Sequence, residues 1–316
     1  MATYVTSDAH GHARALDRAL ELAQPGSNDA VFVLGDMVDR GPDPLGVVRI
    51  VRSLPNTHVL MGNHEAMLLE TILTGDESDM MAWHMNGGFV TSEQLDALAR
   101  DAYVDVMDWF AELPTFAVVE VDDARRSVAP GARRSHVLCH AGIDASRLRE
   151  SLAAMGVTAD TQGGYGGATP RNLLDAMVQQ RVDDLLWIRR EFWSEPTGLV
   201  GCDGRGPVVI AGHTPSVLLG RYATLMCGDG VDEALRGVMV EVGPSRDTGG
   251  VADRICIDCS AATGYPSGRV GIMRLEDRRV WLADIEEGEY PLPHRSAVHQ
   301  ERNGERLRCE RFCLMR

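Results

Sequence analysis

Long apolar runs are absent from this chain. No uninterrupted apolar stretch approaches the roughly 18 residues that are needed to span a membrane. The first residues also lack the basic segment followed by an apolar segment that is typical of a secretory signal. We therefore expect a cytoplasmic protein that has no membrane partner.

Basic side chains are scarce relative to acidic ones. The 316 residues include 31 basic and 46 acidic side chains, which gives a formal net charge of −15. A field of this sign repels polyanions, so nucleic acid is not expected as a partner. A phosphate-bearing substrate would have to be held locally, by metal ions and a few arginines.

Cysteine is too sparse for a disulfide scaffold. The seven cysteines are an odd number in a chain of this size, and we expect them to be reduced. Cys256 and Cys259 have the spacing of a zinc-ligand pair. Because no second pair of cysteines or histidines lies at a matching distance, we do not expect zinc there.

The hydrophobic pattern predicts one large α/β domain. Hydrophobic residues make up 44% of the chain, which is enough for a sizeable core. Short apolar runs predict strands at 3–6, 30–34, 58–61, 116–121, 135–139, 208–211, 237–242, 254–258, 270–275 and 280–284. We expect the strands of the last third to form a second sheet that packs on the first.

Two helical insertions interrupt the predicted strands. Residues from about 65 to 113 and from 144 to 187 have helical rather than alternating patterns. Trp83, Met85 and Trp109 are predicted to form the core of the first insertion rather than a platform for bases. The domain is predicted to cover 1–287, and the alternating charges beyond it predict a polar tail over 288–316.

Polar side chains follow the first three predicted strands at the points where the strands end. Asp8 and His10 follow the first strand, Asp36 follows the second, and Asn63 follows the third. Ligands of open α/β sheets collect at the carboxyl ends of the strands. Carboxylate, amide and imidazole groups together suit divalent ions such as Mn, Fe or Zn. The sequence therefore predicts a metal site at this edge.

The spacing of these residues is typical of a two-metal site. Two divalent ions roughly 3.5 to 4 Å apart can clamp a phosphate ester and make hydroxide from water at neutral pH. A bridging carboxylate must hold the two ions together, and Asp36 is central among the strand ends. Asp8 and His10 lie two residues apart and can share one ion. The other ion is then left to Asn63, His140 and His213.

The residues beside these ligands suit acid catalysis and phosphate binding. His64 should point into the cleft without binding metal, and Asp39 would hold it protonated as a general acid. Arg40 can make a bidentate contact with phosphate oxygens. Taken singly, the acids could be helix caps and the histidines core residues. Their joint position at strand ends, each beside glycine, favours the site.

Five motifs together resemble those of the calcineurin-like metallophosphoesterases, in particular the PPP phosphoprotein phosphatases and their bacterial relatives. They are Asp8-x-His10-Gly11-His12, Gly35-Asp36-x-x-Asp39-Arg40-Gly41, Gly62-Asn63-His64-Glu65, His140-Ala141-Gly142 and Gly212-His213-Thr214. The resemblance runs from about 3 to 275. It implies two mixed β-sheets sandwiched between helices, with helical cap insertions.

The resemblance also implies roles for individual residues. The first metal would be held by Asp8, His10 and Asp36, and the second by Asp36, Asn63, His140 and His213. His64 with Asp39 would be the acid pair, and Arg40 and Asn63 would contact the substrate phosphate. Arg189 is implied as a second phosphate-binding arginine, with its neighbour Arg190 as the alternative.

By this resemblance, the protein is a hydrolase of phosphomonoesters. The expected substrate is phosphoserine or phosphothreonine in a protein, or a small phosphoester, attacked by a metal-bridging hydroxide. The expected cofactor is a pair of divalent ions, manganese in the first place, with iron, zinc, nickel or cobalt as alternatives.

Two other functions stand beside this one. A symmetrical diadenosine tetraphosphate hydrolase has the same centre but should line its cleft with extra cations and aromatic stacking groups. Residues 67–100 contain hardly any basic side chain, which favours the phosphoprotein or small phosphoester. An inactive metal-bound scaffold would show a damaged acid pair or a missing ligand, and neither is seen.

Overall fold

The computed structural model describes residues 1–123, 133–223 and 235–290, together with the backbone of 313–315. The strands in chain order are β1 (Thr3–Thr6), β2 (Ala30–Val33), β3 (Thr57–Val59), β4 (Phe116–Asp122), β5 (Arg133–Cys139), β6 (Val208–Ala211), β7 (Val240–Val242), β8 (Arg254–Cys256), β9 (Arg269–Arg274), β10 (Arg279–Asp284) and β11 (Cys313–Met315). Each predicted strand is present, and no end differs by more than three residues.

Helices occupy most of the remaining described segments. They are α1 (Ala13–Ala23), α2 (Pro44–Ser53), α3 (Asn63–Thr74), α4 (Glu77–Trp83), α5 (Phe89–Asp96), α6 (Arg100–Ala111), α7 (Ala145–Ala154), α8 (Pro170–Met177), α9 (Val182–Trp187), α10 (Arg190–Ser194) and α11 (Ser216–Leu219). A π-helical turn (His84–Gly88) joins α4 to α5, and a 3₁₀ turn covers Ala261–Thr263. No helix in the described ranges is both long and apolar enough for a bilayer crossing.

The strands form two mixed sheets, as the resemblance implies. The first sheet has five strands in the order β10-β9-β1-β2-β3, and β1, β2 and β3 are parallel. The second has six strands in the order β11-β4-β5-β6-β8-β7, with β5, β6 and β8 parallel. The carboxyl ends of the parallel strands in each sheet therefore deliver their loops to one edge.

The expectation that the strands of the last third form a sheet of their own is wrong. β9 pairs antiparallel with β1, so β9 and β10 extend the first sheet. β8 pairs parallel with β6, so β7 and β8 extend the second. The apolar pattern identifies these strands, but the choice of neighbour depends on contacts between segments that are distant in the sequence.

The two sheets share a buried apolar layer, and helices cover their outer faces. Val5 and Phe32 of the first sheet pack in one cluster with Val119, Leu138 and Ile210 of the second. A second cluster joins the first sheet to α1, α2 and the first insertion, and a third joins the second sheet to α7 and α8. The fold is thus a four-layered sandwich.

The first helical insertion is confirmed over α3 to α6, and the second extends past 187 because α10 continues to Ser194. Trp83 lies in the core, as predicted, and Trp109 packs partly against it. Met85 is 82% exposed, so its assignment to the core of the insertion is wrong. The side chain falls on the π-helical turn, whose backbone geometry the helical period does not predict.

Most of the predicted polar tail, 291–312 and 316, lies outside the described residues. Its first residues pack against α1, where His12 contacts Glu289 at 2.6 Å and Arg14 lies over the ring of Tyr290. The backbone of Cys313–Met315 pairs with β4 as an edge strand. These two parts of 288–316 are therefore not a free tail.

Candidate active site

Backbone strain is concentrated at the predicted site. Of the eleven non-glycine residues with positive φ in the described ranges, six belong to it: Asp8, His10, Asp36, Asp39, Arg40 and His213. Such conformations cost free energy and persist only where the surroundings enforce them. The fold therefore holds these side chains in place by constraints beyond local preference.

Backbone hydrogen bonds join the first two loops. Asp8 donates its amide N–H to the carbonyl of Gly35 at 3.1 Å, and His10 donates to that of Asp36 at 3.0 Å. A Cβ on Gly35 would lie 2.4 Å from the backbone nitrogen of Gly62, so the third loop touches the second there. Three loops that are distant in sequence thus converge at one edge.

Glu65 organises the loop that carries Asp36. Its buried carboxylate accepts backbone N–H groups from Asp36 at 2.9 Å, Met37 at 2.8 Å and Gly62 at 3.0 Å. One side chain therefore ties the start of α3 to the second loop. The turn that positions Asp36 depends on these contacts, because its φ of 51° is unfavourable.

Asp36 lies between two sets of imidazole nitrogens, as expected of a bridging ligand. Its Oδ2 is 3.4 Å from His10 Nε2 and 3.9 Å from His64 Nε2. Its Oδ1 is 3.5 Å from His140 Nε2, and His213 completes this second set. Within the described ranges, these two sets of closely spaced ligand atoms share only Asp36.

The second set consists of Asp36, His140 and His213, and its ligand atoms direct their lone pairs to a common point. His140 must donate its Nδ1–H to the carbonyl of Leu34 at 2.8 Å, so its Nε2 carries a lone pair. That nitrogen faces Asn63 Oδ1 at 2.8 Å and His213 Nδ1 at 3.2 Å. Burial lowers the pKa of His140 to about 3, so the imidazole is neutral. Converging acceptors of this kind fit a cation.

The first set consists of His10, Asp36 and His64 and does not include the predicted ligand Asp8. His10 donates Nδ1–H to the carbonyl of Val38 at 3.1 Å, which directs Nε2 towards Asp36. Burial lowers the pKa of His10 well below its usual value, so this imidazole is also neutral. Asp8 is buried beside His10 but belongs to neither set, and its carboxylate accepts the amide N–H of His213 at 3.1 Å. Its role as a ligand therefore stays a prediction.

Burial raises the pKa of the site carboxylates more than the positive charge of Arg40 lowers it. Burial raises the pKa of Asp8, and the charge of Asp258 raises it further. Burial followed by the charges of Asp8 and Glu65 likewise raises the pKa of Asp36. A divalent ion would relieve this penalty. Neutral imidazoles, an amide oxygen and buried carboxylates thus fit the two metal ions implied by the sequence.

His64 and Asp39 form the predicted pair. His64 Nδ1 lies 2.6 Å from Asp39 Oδ2, and its Nε2 lies 3.0 Å from Arg40 Nη2. The expectation that Asp39 holds His64 protonated is wrong. Burial is the largest influence and lowers the pKa of His64, whereas Asp39 only partly opposes it, and Arg40 and Arg189 lower it further. Sequence reasoning identified the charged neighbour but not the burial.

Two arginines that are distant in the sequence contact the histidines of the candidate metal site, which is called the centre below. Arg40 contacts His64, and Arg189 Nε lies 2.9 Å from His213 Nε2. Arg190 instead lies 6.0 Å from the ring of Tyr222, so the phosphate-binding role of Arg189 stays a prediction that its contact with His213 favours. The chain contains no lysine. Within the described ranges, these two arginines are therefore the cationic side chains in contact with the histidines of the site.

Sequence reasoning missed two residues of the first insertion, Trp83 and Thr91, whose side chains donate hydrogen bonds to Asp39 at 2.9 and 2.6 Å. They lie 44 and 52 residues beyond Asp39 in the sequence. A buried tryptophan and a helical threonine are ordinary core residues in a single sequence, so no local signal distinguishes them.

A family model matches most of this chain, over residues 1–238, and its description is calcineurin-like phosphoesterase. The chain belongs to this family. Relatives of this chain are named phosphatases, and the family uses divalent metals. The resemblance inferred from five motifs is thereby confirmed.

Curated relatives match only parts of the chain. The symmetrical bis(5'-nucleosyl)-tetraphosphatase of Psychromonas ingrahamii is 40% identical over 91 residues, which cover 27% of this chain and 33% of the relative. Serine/threonine-protein phosphatase 2 of Escherichia coli is 32% identical over 127 residues, which cover 40% of this chain and 56% of the relative. The chain thus spans between a third and just over half the length of these relatives.

Among solved structures, the metallophosphoesterase from Sphaerobacter thermophilus is similar to this chain with a TM-score of 0.41 and 17% sequence identity. The match covers 90% of this chain and 89% of that one.

The Gly87→Ala variant should weaken phosphate binding. Gly87 has a φ of 102°, its carbonyl accepts the amide N–H of Arg40, and an added Cβ would lie 2.7 Å from Arg40 Cγ. Hydrogen bonds to charged groups contribute about 1.5–3 kcal/mol, so displacing Arg40 should raise KM for p-nitrophenyl phosphate about tenfold. Steady-state kinetics with saturating manganese measures this.

Gly75→Ala is the matched control for this variant. Gly75 also has positive φ, at 63°, and lies in the same insertion, but an added Cβ meets no atom within 4 Å. Both alanines strain the backbone, and only the one at position 87 displaces Arg40. Equal values of KM in the two variants would show that Arg40 does not bind the phosphate.

Proposed function

We propose that this protein hydrolyses phosphomonoesters, foremost phosphoserine and phosphothreonine in proteins. The observation that supports this choice is the small number of cationic side chains at the site. Arg40 and Arg189 contact the histidines of the centre, and residues 63–99 contain no arginine or lysine. Two arginines suit a single phosphoryl group, whereas a tetraphosphate carries several more charges to be matched.

Apart from Arg189 and Arg190, the arginines of the second insertion contact groups near them in the sequence or the backbone, and none of the contacts given below is to the centre. The contacts are Arg147 with Asp144, Arg149 with the carbonyl of Thr197, Arg171 with Asp175, and Arg181 with Asp183. They do not extend the positive surface of Arg40 and Arg189. Among the described residues, the cationic side chains at the site therefore suit about one phosphate.

The proposed chemistry is hydrolysis of the bond between phosphorus and the ester oxygen. When bound, the two divalent ions would polarise the phosphoryl group and lower the pKa of water to supply the nucleophile. Asp36, His10, His140, His213 and Asn63 are the residues that would hold them, with Asp8 as a predicted ligand. Mn is the ion we propose first, with Fe, Zn, Ni or Co as alternatives. Metal analysis of the isolated protein tests this.

Other side chains would bind the substrate, orient it and transfer the proton. Arg40 and Arg189 hold the non-bridging oxygens and orient the ester bond. Asp39 holds the imidazole of His64 by its Nδ1, which leaves Nε2 facing the substrate side. His64 would act in its protonated form, which burial disfavours and Asp39 favours. As the ester bond breaks, Nε2 gives its proton to the leaving oxygen, the oxygen of water joins phosphorus, and the proton that the water releases restores the imidazolium. The products are inorganic phosphate and an alcohol.

A second function is favoured by one exposed aromatic side chain. Trp187 is 45% exposed, and its ring centroid lies 5.9 Å from that of His213. An indole at the rim of a phosphate site can stack on a nucleoside base. The alternative is therefore the hydrolysis of diadenosine tetraphosphate, which agrees with the name of the relative from Psychromonas ingrahamii.

A parallel substrate panel tests the choice between these two functions. The protein loaded with manganese is offered p-nitrophenyl phosphate, a phosphothreonine peptide and diadenosine tetraphosphate, and kcat/KM is compared. We expect the peptide to exceed the dinucleotide by about tenfold or more, because two arginines match one phosphate. Turnover of the dinucleotide alone would refute our first choice.

The Trp187→Leu variant supplies the control for this panel. If the indole stacks on a base, the variant should lose about tenfold in kcat/KM for the dinucleotide and retain the activity towards p-nitrophenyl phosphate, since stacking contributes about 1–3 kcal/mol per base. An equal loss on all three substrates would assign Trp187 to the support of His213 instead.

A further inference from the structure

The first helical insertion reaches into the acid pair. Trp83 donates its Nε1–H to Asp39 Oδ2 at 2.9 Å, and the hydroxyl of Thr91 donates to Asp39 Oδ1 at 2.6 Å. The Thr91 hydroxyl also accepts the amide N–H of Asp39 at 2.9 Å. All three residues are buried. The insertion thus makes three hydrogen bonds to one residue.

These contacts determine the orientation of the carboxylate. Asp39 Oδ2 receives both the indole N–H and the imidazole Nδ1, and Oδ1 receives the hydroxyl of Thr91. With both oxygens bound, the group cannot rotate without breaking at least one contact. The φ of Asp39 is 70°, and Thr91 also holds its backbone in that strained conformation.

The π-helical turn between α4 and α5 makes this arrangement possible. It places Trp83 and Thr91 on either side of Asp39, and a Cβ on Gly88 would lie 2.3 Å from the indole. In the same turn, the carbonyl of Gly87 accepts the amide N–H of Arg40. π-helical turns inside helices occur frequently at functional sites.

We propose that Trp83 and Thr91 are positioning residues for the proton transfer by His64. They fix Asp39, and Asp39 in turn fixes the imidazole so that Nε2 meets the leaving oxygen. This inference rests on the proposed function of His64 as the proton donor. The insertion is then part of the catalytic machinery, in addition to its contribution to the core.

Three conservative variants test this role. Trp83→Phe removes the N–H and keeps an aromatic ring, Thr91→Val removes the hydroxyl at nearly constant shape, and Thr91→Ser keeps the hydroxyl. The kcat is measured on phenyl phosphate, which has a poor leaving group, and on p-nitrophenyl phosphate, which has a good one. Metal content and the melting temperature are measured in parallel.

We expect Trp83→Phe and Thr91→Val to lower kcat on phenyl phosphate by about tenfold or more, as partial loss of general acid catalysis does. On p-nitrophenyl phosphate, kcat should fall less than about threefold, because p-nitrophenolate leaves without needing a proton. KM and metal content should stay unchanged, and Thr91→Ser should restore the rate on phenyl phosphate.

Thr71→Val is the matched control. Thr71 is another buried helical threonine of the insertion, and its hydroxyl donates to the carbonyl of Met67 in its own helix. It should lower stability without changing the ratio of the two rates. If Thr91→Val and Trp83→Phe slow both esters equally, as Thr71→Val would through stability alone, the positioning role is refuted. Failure of Thr91→Ser to restore the rate would refute it as well.

His64→Asn separates this inference from the function on which it rests. If His64→Asn itself slows both esters equally, the proposed role of His64 fails. If His64→Asn discriminates between the esters and the variants of Trp83 and Thr91 do not, only the positioning role fails.

Discussion

Asp36→Asn is expected to abolish metal binding and turnover together. Asp36 is the one residue shared by the two sets of closely spaced ligand atoms in the described ranges. Asparagine keeps the shape and can still accept the amide N–H of His64, but it has no charge to hold two cations close together. We expect kcat on p-nitrophenyl phosphate to fall by about a thousandfold or more, as electrostatic and metal contributions of this size imply.

Metal analysis and titration calorimetry measure the first half of this prediction, and kinetics at saturating manganese measure the second. Asp253→Asn is the matched control, because Asp253 is equally buried but pairs with Arg254 and Thr197. It should lower the melting temperature and leave metal binding intact. Full metal content with normal turnover in Asp36→Asn would contradict the bridging role.

Without metal, Asp36→Asn should be at least as stable as the wild type. Burial and the charges of Asp8 and Glu65 raise the pKa of Asp36, so its ionised form destabilises the fold when no cation is bound. This destabilisation is present above the raised pKa and is relieved as the carboxyl is protonated at lower pH. At pH 7, metal-free Asp36→Asn should therefore melt no lower than the metal-free wild type, and only the wild type should gain stability from manganese.

The centre could be predicted from the sequence because its residues follow strands directly. Parallel strands end at one edge, so Asp36 after β2 and Asn63 after β3 had to lie close together. The pairing of the last strands could not be predicted in the same way. Tyr4 of β1 pairs with Arg274 of β9, and an apolar run does not specify which edge of which sheet it joins.

The environment of Asp39 was the other feature that the sequence did not reveal. Trp83 and Thr91 meet it only because a π-helical turn with Gly87 at a φ of 102° changes the direction of the insertion. The helical period of 3.6 residues cannot predict this turn. The charge state of His64 was missed for a related reason, since burial depends on packing that adjacent residues do not reveal.

His64→Asn should leave the metals in place and slow the hydrolysis of poor leaving groups most. Loss of a general acid costs about 10²- to 10⁴-fold, and we expect kcat on phenyl phosphate to fall in this range. The loss on p-nitrophenyl phosphate should stay within about tenfold, because that leaving group needs little protonation. The ratio of the two rates therefore reports the proton donor directly.

Metal content in the same variant decides between two roles of His64. Its Nε2 lies 3.9 Å from Asp36 Oδ2 and forms a set with His10, so a ligand role is geometrically open. Against that role, the same nitrogen lies 3.0 Å from the guanidinium of Arg40, which would repel a cation there. If His64→Asn lost one metal equivalent, His64 would be a ligand. If it kept both metals and lost only the poor leaving group, the imidazole of His64 would be the group that completes the departure of the alcohol.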